Sequence, residues 1–194
     1  MAFNVNEFIS RGLEFGGARP SLFNVFLRPP TGLGIEASSI DKFTFACQGA
    51  QLPAASISQI EVPYFGRRIK VAGERTFDNW TVSIMNDEDF KVRALFEKWS
   101  NALNSLEGNQ RLVGLNDENY KADLEVFQYA KDGTVIRGYR IIGAFPTDVS
   151  AIDVNWSSTG AIESFNVTFA YDYWEPSVES IGTNQYAQDV SANF

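Results

Sequence analysis

The stretch IESFNVTFAYDYW, residues 162–174, alternates with period two along nearly its whole length. Phe165, Val167, Phe169, Tyr171 and Tyr173 fall on one face, and Ser164, Asn166, Thr168, Ala170 and Asp172 on the other. A helix would scatter these aromatics around its circumference, whereas a strand collects them on one side. A strand so patterned has one packed face and one wet face, which belongs to antiparallel sheet. The upstream segment AIDVNW is expected to pair with it across SSTG, giving a hairpin over 151–173 with Trp156 and Tyr173 turned inward.

Other segments repeat the theme. SLFNVFLRPP (21–30) reads as a strand stopped by two prolines, TGLGIEASS as a loop, and DKFTFACQGAQLP (41–53) as a strand ending at Pro53. Thr76 to Met85 reads as a strand with Trp80, Val82 and Ile84 on one face and Asn79, Thr81 and Ser83 on the other. KADLEVFQYA and TVIRGYRIIGAF flank a Lys-Asp-Gly turn at 131–133 and form a hairpin. One substantial helix is expected over about 87–107. Asn86 or Asp87 would cap it, Val92, Leu95, Phe96, Trp99, Leu103 and Leu106 would form its packed stripe, and Gly108 would end it. Residues 54–75 contain Pro63, a Gly-Arg-Arg turn at 66–68 and Gly73, and read as a long hairpin arm rather than a core strand.

Composition narrows the chemistry. The 194 residues suffice for one domain with a sizeable core, since a chain of this size buries roughly 70% of its unfolded surface. There is no His and a single Cys, Cys47. That removes Ser-His-Asp and Cys-His catalysis, imidazole ligation and any internal disulfide, and no cofactor or metal is expected. MAFNVNEFISRG lacks the basic start and apolar run of a signal peptide, and no run is long enough for a membrane anchor. A soluble protein of a reducing compartment is the expectation. Charge is uneven. Residues 1–75 carry eight Lys/Arg against six Asp/Glu and residues 76–194 eight against eighteen, with no basic residue after Arg140. Tight nucleic-acid binding needs clustered cations, and this half of the chain offers the reverse.

VAGERTFDNWTVSIMND (71–87), with ARPSLF at 18–23, Leu52-Pro53 and YDYWE at 171–175, resembles the tail tube proteins of contractile-tailed, T-even-like bacteriophages, in the same motif order from about Ala18 to Glu175. The resemblance implies a mainly β fold: an antiparallel β-sandwich or barrel with one flanking α-helix, a single domain over 1–175, and assembly as hexameric rings stacked into a hollow tube. It implies a non-enzymatic structural subunit of the virion tail, assembled in the host cytoplasm. Its partners would be copies of itself, the tail sheath, the baseplate and the tail terminator. Double-stranded DNA would pass through without specific binding. Tube initiators, terminators and the inner tubes of phage-derived injection machines are related alternatives. Compared with the family pattern the connection at 28–41 is long, and residues 176–194 form an extension past the usual end, expected to pack poorly unless a neighbour orders it.

The resemblance also distributes roles. Phe77, Trp80 and Trp99 form the core signature. In the arm, Tyr64, Phe65 and Ile69 are expected as apolar anchors and Arg67, Arg68 and Lys70 as a basic rim gripping the next ring. Arg75 and Asp78 are expected to pair. Asp153, Asn155, Asn166 and Thr168 are the lumen candidates, on the polar face of the 151–173 hairpin opposite Ile152, Val154, Val167 and Phe169. Two other classes of function are weighed: a carbohydrate-binding sandwich with Trp156, Tyr173 and Trp174 as a sugar platform, and a glycosidase with two carboxylates across a cleft.

Overall fold

The computed structural model describes residues 4–14, 16–114 and 116–178. Along the chain come α1 (Val5–Gly12), β1 (Phe23–Arg28), α2 (Ala37–Ala46), β2 (Cys47–Ala50), β3 (Ser56–Tyr64), β4 (Arg67–Thr76), β5 (Trp80–Met85), α3 (Lys91–Leu103), β6 (Ala122–Tyr129), β7 (Val135–Val149), β8 (Ser164–Ala170) and β9 (Tyr173–Val178). The fold is mainly β, and every strand pair is antiparallel.

The 15-residue β7 links two halves of one sheet. Its first part pairs with β6 and β9, with β1 beyond β6; its last part, Phe145–Val149, pairs with β8, which continues to β5 and β2. The bend falls at Gly143, where φ is +69° and a Cβ would come within 2.9 Å of the Asp172 carboxyl carbon. Only glycine fits that combination without strain. Opposite it, the alternation begun in β8 breaks at Tyr171–Asp172 and resumes as β9 along the same edge of β7.

The core lies between the sheet and the helices. Trp80, Val82 and Ile84 of β5 and Phe165, Val167 and Phe169 of β8 are buried, and so are Val92, Leu95, Phe96 and Trp99 of α3. Phe169 meets Trp80, Phe96 and Trp99 at ring-centroid distances of 5.9, 5.9 and 6.1 Å. The two indoles satisfy their N–H groups as buried Trp requires: Trp80 donates to the Gln51 carbonyl at 2.6 Å and Trp99 to the Tyr120 carbonyl at 2.8 Å. Phe77 packs half-buried at the rim against Tyr171, centroids 5.8 Å apart.

Three elements differ from the sequence expectation. Residues 37–46 form α2, not loop and strand: the helical stripe of Ile40, Phe43 and Thr44 outweighs the period-two Phe43 and Phe45, so that Phe43 is buried against Phe96 (5.6 Å) while Phe45 faces out. The main helix is shorter at both ends than 87–107. It starts at Lys91 after Phe90, whose φ is +52°, and ends at Leu103, leaving Leu106 90% exposed. Asn86 and Asp87 do not cap it. Asn86 is buried and bonds Glu163 through backbone (2.8 Å) and side chain (3.1 Å), while Asp87 and Asp89 both grip Lys42 of α2. Finally, AIDVNW is not a strand. Phe145–Val149 holds the place beside β8, and 151–163 is an irregular loop. Pairing along β9 continues to Val178; the rest of the extension, 179–194, lies outside the described residues.

The Lys42 cluster ties α2 to the entry of α3. Hydrogen bonding to Asp87 and Asp89 holds the lysine's pKa above its usual value and theirs below the usual carboxylate range. The carboxylates' contribution is present above their unfolded pKa, ~3.9, and is lost as pH falls through the folded values; that of Lys42 is lost as pH rises beyond ~10.4. Thermal melts of Lys42→Met against the parent are therefore expected to show a midpoint deficit that is flat from about pH 5 to 9 and vanishes on acidification below the carboxylate range. A deficit that persists unchanged in acid assigns the loss to packing of the lysine stem.

Candidate assembly surfaces

The arm is a ribbon of β3 and β4 joined by Phe65-Gly66, both with positive φ (+43° and +78°), the geometry of a tight hairpin turn that glycine permits. Its register sorts the side chains. Ile60 faces Val71, Val62 faces Ile69 and Tyr64 faces Arg67 on one side; Glu61 faces Lys70 and Pro63 faces Arg68 on the other. The first side is apolar apart from Arg67, and all of its aliphatic residues are exposed. On the second, Arg68 bonds Glu61 at 2.8 Å. Phe65 stands at the tip, 91% exposed and edge-on to Tyr64 at 4.6 Å. A two-stranded ribbon with a bare apolar face is marginal in water on its own. The structure thus brings Tyr64, Phe65, Arg67, Arg68, Ile69 and Lys70 together at the exposed end of one hairpin. Arg75 lies at the arm's base opposite Ile57, and among the described residues it makes no ion pair with Asp78.

The second surface is the back of the sheet that α3 covers. Thr81 pairs with Thr168, Ser83 with Asn166 and Met85 with Ser164, while Gly49 lies beside Ser83 and Asp148 beside Thr168. The Thr81 and Thr168 hydroxyls are 3.2 Å apart, and Gln48 donates to Ser83 at 3.1 Å. The four strand segments, Cys47–Ala50, Trp80–Met85, Ser164–Ala170 and Phe145–Val149, contain no Lys or Arg and one acid, Asp148. Both outer strands have one unpaired edge, β2 beyond β5 and Phe145–Val149 beyond β8, and each is bulged, near Gln48 and Thr147. Bulges at edges discourage random pairing.

Of the four lumen candidates, Asn166 and Thr168 lie on this polar face. Asp153 and Asn155 do not; they sit in the 151–163 loop at the end of the sheet. Val154 and Trp156 are likewise out of the core, 81% and 103% exposed, and Tyr173 is exposed on β9. The alternation of AIDVNW suggested inward packing, but a strand's alternation buries nothing when no ladder holds the strand. A sugar platform is also contradicted. Trp156 precedes β8 and Tyr173 and Trp174 follow it, so roughly 20 Å of strand separates them.

Two features lie outside the sequence expectation: one, α1, is readable from Val5, Phe8 and Ile9 at helical spacing after a capping Asn4, and the other, a set of ion pairs, is not. The amphipathic α1 is capped by Asn4, whose side chain accepts from Asn6 and Glu7, and exposes Val5, Phe8 and Ile9. Charged side chains at the β7 bend pair internally: Lys121 with Asp117 (3.1 Å) and Asp172 (2.8 Å), and Arg140 with Asp123 (2.6 Å). The groove there therefore offers no free carboxylate pair of the kind a glycosidase needs. No His/Cys/Asp/Glu cluster among the described residues has metal-site geometry, and no described helix is long and apolar enough to cross a membrane.

Comparison with known proteins adds a relationship to this geometry. The family model "Phage tail tube protein" matches residues 18–177. The tail tube protein gp19 of Enterobacteria phage T4 is 40% identical over 169 residues, covering 86% of this chain and 97% of that protein. A chain from the anti-feeding prophage baseplate superposes with a TM-score of 0.59 at 11% identity, covering 82% of this chain and 95% of the other. A chain from the PVC sheath–tube complex of an extracellular contractile injection system, in its extended state, gives 0.56 at 15% identity, covering 90% and 98%. These two likenesses concern the fold.

The exposed ribbon makes a prediction that needs no partner. Val62→Ser with Ile69→Ser removes apolar surface that water already reaches, so the unfolding free energy from denaturant titration should change by no more than ~0.5 kcal/mol per site. Self-association in sedimentation should weaken. A loss of several kcal/mol would mean that the ribbon packs on its own subunit.

Proposed function

The chain belongs to the phage tail tube protein family, and from that premise we propose that six copies close into a ring and that rings stack into a hollow conduit for double-stranded DNA. The observation that carries the reading is the sheet with a packed face and a bare polar face, open at both edges. Heterologous pairing of β2 in one subunit with Phe145–Val149 in the next satisfies both edges at once, and a ring removes edges altogether. Four strands from each of six subunits make a barrel of about 24 strands. At about 4.8 Å spacing and ~40° tilt, its facing backbones stand roughly 48 Å apart. That leaves room for a duplex and a layer of water.

The chemistry of the wall suits passage. Duplex DNA carries one negative charge per ~1.7 Å, and cations on the wall would bind it by counterion release. Thr81, Ser83, Ser164, Asn166 and Thr168 supply short, uncharged side chains instead, with Asp148 adding one negative charge per subunit. The wall is polar and nearly neutral rather than strongly acidic. In this reading the helical side of each subunit faces outward toward a contractile sheath, the arm grips the neighbouring ring, and baseplate and terminator proteins close the two ends. The subunit is structural and acts by shape and surface charge, without a catalytic step. The bent sheet, the one flanking main helix and the unpaired edges all support it.

Electron microscopy of the purified protein tests the assembly: rings or tubes about the estimated width are expected, and a dispersed monomer at every concentration contradicts the reading. The conduit is tested by Ser164→Lys with Asn166→Lys, both exposed on the polar face. Tubes should form normally, while particles carrying the variant should eject DNA more slowly, and most slowly at low salt, where screening is weakest. Ejection that is unchanged at low salt removes this face from the lumen.

A further inference from the structure

We propose that the loop 151–163 is the socket that receives the arm of the next ring, with Trp156 as its central contact; the proposal rests on the stacked-ring reading above. The two surfaces sit at opposite ends of one rigid sheet. The arm leads into β5 at Trp80, whereas the loop leads into β8 at Ser164, which pairs with Met85 at the far end of β5. An exposed apolar ribbon at one end and an exposed apolar loop at the other form a head-to-tail pair that extends along an axis rather than closing on itself. Their chemistry is complementary. The arm's tip brings Tyr64 and Phe65 with Arg67 and Arg68, and the loop offers Val154, Trp156 and Ile162, all exposed, with Asp153 and Glu163 and no Lys or Arg.

The loop is also held in shape. The Asn155 side chain accepts from the backbone N–H (3.0 Å) and hydroxyl (2.8 Å) of Ser157, and Ser158 N–H donates to the Asn155 carbonyl at 3.1 Å. At its far end Glu163 is fastened to buried Asn86. Between these bonded residues Trp156 is wholly exposed to solvent. A preorganised, exposed indole costs little further ordering on association, and Trp is among the residues enriched at interface hot spots. The occupant is a second copy of this chain because the matching basic, aromatic surface is on the chain itself. It also gives the Asn86-Asp87 signature a use: Asn86 fixes the socket, while Asp87 fixes α2.

Cross-linking separates this proposal from the tube reading. Burial pushes the Cys47 thiol up to about 12, so the native cysteine is a poor nucleophile near neutral pH. Arg67→Cys with Ser158→Cys, assembled and treated with a short bismaleimide, should give a ladder of covalent multimers on a denaturing gel, and each single variant should stay monomeric. Tubes that form but give no ladder overturn the socket and leave the tube standing; parent protein that forms no tubes overturns both. Trp156→Ser gives an independent arm of the test. The concentration needed for tube growth should rise at least tenfold with the monomer's thermal midpoint unchanged. An unchanged growth threshold, or a lowered midpoint, overturns the socket, as does protection of Trp156 fluorescence from quencher only after sheath is added.

Discussion

Phe169 touches Trp80, Phe96 and Trp99 at once, and this aromatic contact decides which side of the sheet is inside. A Phe→Ala change at such a site costs about 3 to 5 kcal/mol, a large part of a domain's usual margin. Because α3 is committed to that face, the opposite face of β5 and β8 has no cover within the chain. Its residues are short and polar where a free-standing sheet face commonly carries long charged side chains. The same cluster thus sets the fold and leaves bare the surface that the proposed function turns toward the lumen.

What remains unsatisfied in the subunit defines its assembly. The edges of β2 and of Phe145–Val149 beside the polar face lack partners, the arm has an uncovered apolar side, and Trp156 is held in water. None of these is favourable in isolation, and in the proposed assembly each is relieved by another copy of the chain. In the proposed assembly the edges meet neighbours within a ring, and the arm and the loop, at opposite ends of the strands, meet neighbouring rings. The arm carries Arg67, Arg68, Lys70 and Arg75 against Glu61 and Glu74, while the 151–163 loop carries Asp153 and Glu163 and no cation, so the proposed contact is attractive and strongest at low salt.

Much of this was legible in the residues. The β8 alternation, the buried triplet Trp80, Val82 and Ile84, the arm and the 131–133 turn are local patterns, and local patterns survive folding. The misreadings share a cause. Phe43 and Phe45 fit a strand's period, but Ile40, Phe43 and Thr44 also fit a helix, and only contact with Phe96 decides between them. AIDVNW alternates as well as any strand here, yet β7 already occupies the edge of β8. A competition between two segments for one ladder is not written in either segment. Asn86 and Asp87 have the residue types of helix caps because cap chemistry is hydrogen-bond acceptance, but an Asp87 carboxylate oxygen accepts from Lys42 and the Asn86 amide donates to Glu163, partners distant in sequence. For the candidate site, the arm's hairpin follows from its turn residues and Asn166 and Thr168 lie on the polar face, whereas placing Asp153 and Asn155 there depends on a strand that does not form.

Backbone hydrogen exchange in the free subunit and in the assembled tube tests the central claim, that the sheet is completed between subunits. The amides of Cys47–Ala50 and Phe145–Val149 that point away from β5 and β8 should exchange readily in the monomer and become protected on assembly, while those between β5 and β8 stay protected in both states. Equal exchange of the β2 and β7 edges before and after assembly would contradict the account, because it would leave the barrel wall unjoined.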